Sequence, residues 1–181
     1  MKHLIVTVIL VGLCTSGFAQ KYLTRTGKVT FFSGTPLENI EAFNNEMACV
    51  LDAQKGEFIF QVPIKSFKFD RSLMQEHFNE NYLESDKYPK ADYKGTITDP
   101  SAINYSKDGT YKVSTKGKLT IHGVTKTVSL PGTAEVKGDK VTLKSTFKII
   151  PQDYKIEIPG IVEDKIAKEI EVNVNSILEK K

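Results

Sequence analysis

Apolar residues recur at every second position along most of this chain. The alternation is cleanest between Val141 and Ile149, where Val141, Leu143, Phe147 and Ile149 share one parity and Thr142, Lys144, Thr146 and Lys148 the other. A period of two sends successive side chains to opposite faces of a strand, so this segment has one dry face and one wet face. Phe58, Phe60, Val62 and Ile64 make a second dry face. Phe67 and Phe69 follow on the opposite parity, so the Lys65-Ser66 step reads as a bulge or bend. Further strands are predicted at 29–33, 40–52 (with a break), 91–99, 110–121, 125–135 and 169–178. Punctuation comes from Ala53-Gln54-Lys55-Gly56, Asp99-Pro100, Lys107-Asp108-Gly109, Pro131-Gly132 and Lys137-Gly138-Asp139. Of these, Lys107-Asp108-Gly109 and Gly138-Asp139 read as hairpin turns, because glycine tolerates the positive φ such bends require.

One stretch leaves this period. Asp70 stands where a helix cap belongs, and Leu73, Met74, His77, Phe78 and Tyr82 then recur at three- and four-residue spacing. The spacing predicts a helix over about 71–83, ended by Ser85-Asp86-Lys87-Tyr88-Pro89, and a weaker helical turn near 161–165. No repeat, low-complexity tract or linker divides the chain. About eight strands with one inserted helix fit a closed antiparallel barrel better than an open sheet, because closure removes exposed edges. Strands of roughly 10 residues tilted near 40° give a barrel about 25 Å tall. Such a barrel either fills its interior with side chains or holds one small ligand, and the alternation does not choose between them.

The start of the chain changes the picture of where the protein works. Lys2 and His3 precede an apolar run from Leu4 to Leu13, and Thr15-Ser16-Gly17-Phe18-Ala19 supplies small residues for cleavage after Ala19. The run is roughly half of the ~20 residues a bilayer span needs, and Leu13 before Cys14 does not suit lipoprotein processing. The expected division is a signal peptide at 1–19 and one β-barrel domain at 20–181, located in the periplasm or secreted. The net charge is +3, of which Lys2 supplies one, and no basic cluster offers a nucleic-acid footprint.

Candidate chemistry is sparse. After cleavage Cys49 is the single cysteine; it sits in the apolar run Met47-Ala48-Cys49-Val50-Leu51 and reads as an inert buried thiol. His77 and His122 lie at no metal-ligand spacing. No G-x-S-x-G, H-E-x-x-H or phosphate-cradling loop is present. The expectation is therefore no metal, no cofactor and no catalysis. His122 is read as hydrogen-bonding the turn backbone, and Asn104-Tyr105-Ser106 as a turn rather than a glycosylation acceptor.

Leu119-Thr120-Ile121-His122-Gly123-Val124-Thr125-Lys126 joins two alternating segments through a tight bend, and this octapeptide resembles the hairpin of the YceI-like family. Met74-Gln75-Glu76-His77-Phe78 with Asp86-Lys87-Tyr88-Pro89 resembles that family's helix and its stop. Ala91-Asp92-Tyr93-Lys94-Gly95 resembles the strand after it, and Phe147-Lys148-Ile149 with Asp153-Tyr154 a later segment. Departures are Thr127 where the family often has proline, Pro151 and Gln152 where it has an arginine ahead of Asp153, and Lys155 where it has glycine.

The resemblance implies a secreted, all-β, lipocalin-like antiparallel barrel that binds polyisoprenoid or other long apolar lipids. Its expected partner is a long-chain apolar lipid, a polyisoprenoid, an isoprenoid quinone or a fatty-acid derivative, held for transport, storage or sequestration. Transient membrane contact and a monomer or homodimer are expected with it. The dry faces then nominate Phe58, Phe60, Val62, Tyr93, Tyr111, Val113, Leu119, Ile121, Leu143, Phe147 and Ile149 as the lining. Met74, Phe78, Tyr82 and His122 are the candidates for the mouth. The alternative is a non-lipid envelope interaction module with a solidly packed interior.

Overall fold

In the computed structural model of the protein, which describes residues 20–181, the alternating segments form nine antiparallel strands. They are β1 (Lys21–Gly34), β2 (Asn39–Asp52), β3 (Glu57–Pro63), β4 (Lys68–Phe69), β5 (Lys90–Ile97), β6 (Gly109–Ile121), β7 (Val124–Lys137), β8 (Lys140–Ile149) and β9 (Ile170–Lys180). Neighbours run β1-β9-β8-β7-β6-β5-β3-β2, and β2 pairs back onto β1 from Lys21↔Asp52 to Gly34↔Asn39. Eight strands thus close a barrel, and the short β4 adds to β2 through Ala42↔Phe69. The predicted cut after Ala19 lies outside the described residues.

The connections sort by end. Residues 53–56, 98–108 and 138–139 and the end of β9 lie at the lower end. The 35–38 turn, residues 64–89, the 122–123 hairpin and the 150–169 connection lie at the upper end. The lower half is packed solid. Tyr22, Met47, Leu51, Val141 and Leu178 are fully buried there, and the Tyr22 ring stacks on Tyr105 at 5.7 Å between centroids. Each such side chain contributes about 1.5–3 kcal/mol by burial, so the lower half anchors the fold.

Several local expectations change. The parity switch after Ile64 takes the bend form of the expected bulge or bend, as the 3₁₀ turn Ile64–Ser66. The barrel's marked register shifts lie in β1, around Gly27, where the Met47 side chain packs directly against the glycine. Strand β2 is unbroken, and Pro131-Gly132 lies within β7 instead of ending it. Lys107-Asp108-Gly109 closes a longer connection, whereas Gly138, at φ +55°, makes the β7–β8 hairpin turn. Asn104 Oδ1 accepts from the Ser106 amide at 3.0 Å, which is the turn expected of that triplet.

The helix is shorter and looser than its spacing predicts. α1 covers Ser72–His77 and widens into a π turn over Phe78–Tyr82. Asp70 does not cap it; Arg71 occupies the N-cap with no side-chain bond. The widened turn holds Phe78 against three other rings, Phe31, Phe67 and Phe69, with centroids 5.4, 5.4 and 5.0 Å away. The second helical turn is the 3₁₀ segment Gly160–Lys165.

Lys155 stands where the resembled pattern has glycine. It follows the 3₁₀ turn Pro151–Tyr154 at φ 56°, in the left-handed region that favours glycine, and its side chain is exposed. Lys155→Gly is expected to raise stability by up to about 1 kcal/mol by relieving that conformation. A higher urea midpoint at unchanged slope is the measurement that checks it.

Candidate functional site: a barrel filled only in its lower half

Above the packed layer the interior is hollow. A cavity of about 550 Å³ occupies the upper half, and its wall is almost wholly apolar. Inward-facing Phe60, Val113, Phe147, Ile149, Val172 and Val174 border it and are only half-buried, whereas Ala134, Val141 and Leu178, on the same faces lower down, are fully buried. The difference is height, not chemistry: the same alternation packs against itself below and against empty space above.

Ten of the eleven nominated wall residues border this space: Phe58, Phe60, Val62, Tyr93, Val113, Leu119, Ile121, Leu143, Phe147 and Ile149. Tyr111 does not. It has the inward parity but sits near the lower end, where its hydroxyl donates to the carbonyls of Lys107 (3.0 Å) and Asn104 (3.3 Å) and holds the bottom loop. Of the mouth candidates, Met74, Phe78 and Tyr82 border the cavity and His122 does not. Also on the wall or roof are Phe31, Phe67, Phe69, Leu130, Ile156 and Ile158, none of them nominated from the sequence. Phe31 lies in a segment already read as strand, so parity could have found it. Ile156 and Ile158 belong to an irregular connection that folds back over the mouth, and no period announces that.

Polar groups on the wall are mostly satisfied from within. The Tyr93 hydroxyl lies 2.9 Å from Thr115 Oγ1, which also donates to the Leu130 carbonyl at 3.1 Å. Burial pushes the Tyr93 phenol above its ordinary range, so it stays neutral. Ser33 Oγ accepts from the Ala167 amide at 2.9 Å. Cys49 is buried in the lower half, and burial pushes its thiol up to about 12, which removes it as a nucleophile at neutral pH.

A roof covers the upper end. Leu73, Met74 and Phe78 come from α1 and its π turn; Ile156, Ile158 and Val162 come from the 150–169 connection. An Arg71–Glu38 ion pair ties the start of α1 to the β1–β2 turn. His122 supplies the second tie and bonds beyond its own turn. Its Nε2 lies 2.7 Å from Glu84 Oε2 and its Nδ1 3.1 Å from the Tyr154 carbonyl, with the Tyr88 ring edge-on at 4.6 Å. Three residues from two roof segments thus converge on one imidazole. Glu84 and His122 both adopt positive φ, 41° and 49°, to reach each other.

His122 holds the Glu84 carboxyl below its ordinary 4.5. A carboxylate depressed in the folded state contributes stability above its unfolded value and loses it as pH falls through the folded one. The melting advantage of the wild type over Glu84→Gln is therefore expected to be present at neutral pH and absent in acid well below 4.5. An advantage that persists unchanged into that range would assign the strap's strength to something other than this carboxylate.

The family model of the YceI-like domain matches residues 17–177. Among curated proteins, none matches the chain significantly. Solved structures share the architecture. A polyisoprenoid-binding domain from Saccharophagus degradans, implicated in plant cell wall breakdown, superposes with a TM-score of 0.78 at 14% identity, over 89% of this chain and 98% of that one. BcnA of Burkholderia cenocepacia gives 0.70 at 19% identity, over 84% and 95%. The YceI protein of Campylobacter jejuni gives 0.56 at 15% identity, over 100% and 90%.

Proposed function

Because the chain belongs to the YceI-like domain family, we propose that it holds a long apolar lipid in the upper cavity, for transport, storage or sequestration. The observation that carries this reading is the unfilled upper half. Each 100 Å³ of empty apolar volume forgoes on the order of 2 kcal/mol of packing. A barrel serving only as an interaction module gains nothing by leaving about 550 Å³ open. At roughly 30 Å³ per methylene-sized group, the space takes about 18 such groups, or three to four isoprene units. Each buried CH₂ is worth about 0.8 kcal/mol, so a dozen contribute on the order of 10 kcal/mol before ordering costs. A prenyl chain, an isoprenoid quinone tail or a fatty-acid derivative all fit that chemistry. The polyisoprenoid binding of the Saccharophagus degradans domain supports the first.

In this reading residues 1–19 are removed after Ala19 and the protein works in the periplasm or outside the cell. Contact with a bilayer is transient, at the roofed end. The three most exposed large apolar side chains among the described residues, Ile161 (88%), Leu37 (64%) and Leu73 (59%), all stand on that end. Binding, not turnover, is the activity.

Solvent extraction of the purified mature protein, followed by mass spectrometry, tests the proposal. A stoichiometric prenyl or fatty-chain compound is the expected result. An empty extract together with no uptake of added prenyl lipids would reject it.

A further inference from the structure

The barrel wall parts between two of its strands. β7 pairs with β6 along its upper length to Ile121↔Val124, and β8 pairs with β9 to Ile149↔Ile170. Between themselves, β7 and β8 pair only from Lys137↔Lys140 to Thr133↔Lys144. Above that fork, residues 124–132 and 145–149 run past each other with no ladder between them. Pro131, which has no N–H to give, stands at the fork, and Ser145 Oγ donates to its carbonyl at 2.6 Å. The top of the gap is bracketed by Lys126–Asp153 at 2.7 Å and by the His122 contact to the Tyr154 carbonyl.

The cavity runs into this gap. Leu130, Phe147 and Ile149 border it from inside, and so do Pro131, Thr133 and Lys144, whose parity on their strands is outward. The comparable gap above Ala48↔Gln61, between β2 and β3, is filled: β4 pairs with β2 there, and Asn44 Nδ2 donates to the Pro63 carbonyl at 2.7 Å. The floor is packed solid, and the roof is tied by Arg71–Glu38, by His122 and by the Phe78 ring cluster.

We propose that the seam between the upper halves of β7 and β8 is a lateral port through which an apolar chain enters and leaves the cavity. This rests on the binding reading above. Passage there breaks no backbone ladder, and the one side-chain bond at the fork is Ser145 to the Pro131 carbonyl, whereas passage through the roof breaks its ties. The port also lets a chain longer than the enclosed volume leave its excess outside. The exposed residues along its outer edges, Thr127, Ser129, Thr146 and Lys148, are polar and suit the emergence of a polar head.

The test bridges the seam. In the full mature chain, Ser129→Cys and Thr146→Cys are joined by a short thiol-to-thiol cross-linker; buried Cys49 stays in place. Uptake and release of cis-parinaric acid, an unbranched polyene fatty acid that fluoresces in apolar surroundings, are followed by stopped flow. The bridged protein is expected to exchange probe at least tenfold more slowly than the unbridged double variant, with the dissociation constant little changed. Equal rates before and after bridging would overturn the port. As a second variant, Ser145→Ala removes the bond at the fork and is expected to speed exchange several-fold; unchanged exchange would count against the seam as the route. If the wild type takes up neither this probe nor an added prenyl lipid, the binding reading itself fails and the port falls with it.

Discussion

Substituting valine for Gly117 is expected to cost the barrel about 3 kcal/mol or more, enough to leave much of the protein unfolded. Gly117 on β6 lies opposite Gly95 on β5. A Cβ at Gly117 would stand 2.5 Å from the Gly95 Cα and closer still to the Lys94 carbonyl oxygen, with Tyr93 Cε2 at 2.8 Å. Two of these three neighbours are backbone of the adjacent strand, which cannot swing aside as a side chain can. The glycine pair lets the Tyr93 ring lie along the wall, where it borders the cavity and reaches Thr115. Relief by moving β5 outward would therefore open the ladder and the cavity together. Gly160→Ala is the control, since nothing lies within 4 Å of a Cβ there; it is expected to stay within about 0.5 kcal/mol of wild type. Urea unfolding of both variants checks the pair, and a Gly117→Val midpoint close to that of Gly160→Ala would refute the argument.

The second large effect concerns the ligand. Val113→Asp places a carboxylate on the cavity wall, on the fifth of the 13 residues of β6. Val113 is only half-buried in the empty barrel, so a charge there can be hydrated and stability is expected to fall only moderately. A hydrocarbon filling the cavity would strip the water away and leave the charge without a partner, a cost of several kcal/mol. Affinity for a long-chain probe is expected to fall at least a hundredfold, about 2.7 kcal/mol. Ser114→Asp adds the same charge one residue later on the exposed outer face and is expected to leave affinity unchanged. Titration of a fluorescent fatty acid into both variants, with thermal melts to confirm folding, separates the two. Equal affinities would mean that the upper cavity does not hold the chain.

Much of the barrel is legible residue by residue. Val141, Leu143, Phe147 and Ile149 do share one face, and the glycine at 138 does turn the β7–β8 hairpin. What parity cannot supply is height. Tyr111 and Val113 have the same parity on β6, yet one holds the bottom loop while the other borders empty space. The sequence also does not record whether a strand's neighbour is bonded to it. Thr127, Val128, Ser129 and Leu130 alternate as regularly as any paired segment, although β8 has parted from them. His122 was expected to bond its own turn, and its actual partners lie 38 and 32 residues away. The helix is foreshortened for a tertiary reason too: the spacing of Phe78 and Tyr82 continues the helical pattern, but ring packing against Phe31, Phe67 and Phe69 accompanies the wider turn.

The order of the staves has a kinetic meaning. The barrel closes where its first strand meets its last, β1 along β9 from Phe32↔Glu171 to Tyr22↔Lys180, and the Lys181 amide reaches back to the Lys21 carbonyl at 2.9 Å. Almost the whole chain must therefore be present before the ring can shut. Contacts this distant in sequence place the fold among the slow ones, with milliseconds to seconds as the scale. Until β9 arrives, β1 and β8 each present an open edge. The ring thus stays open until β9 is free to pair, and a chain truncated ahead of Ile170 would stay adhesive at both edges.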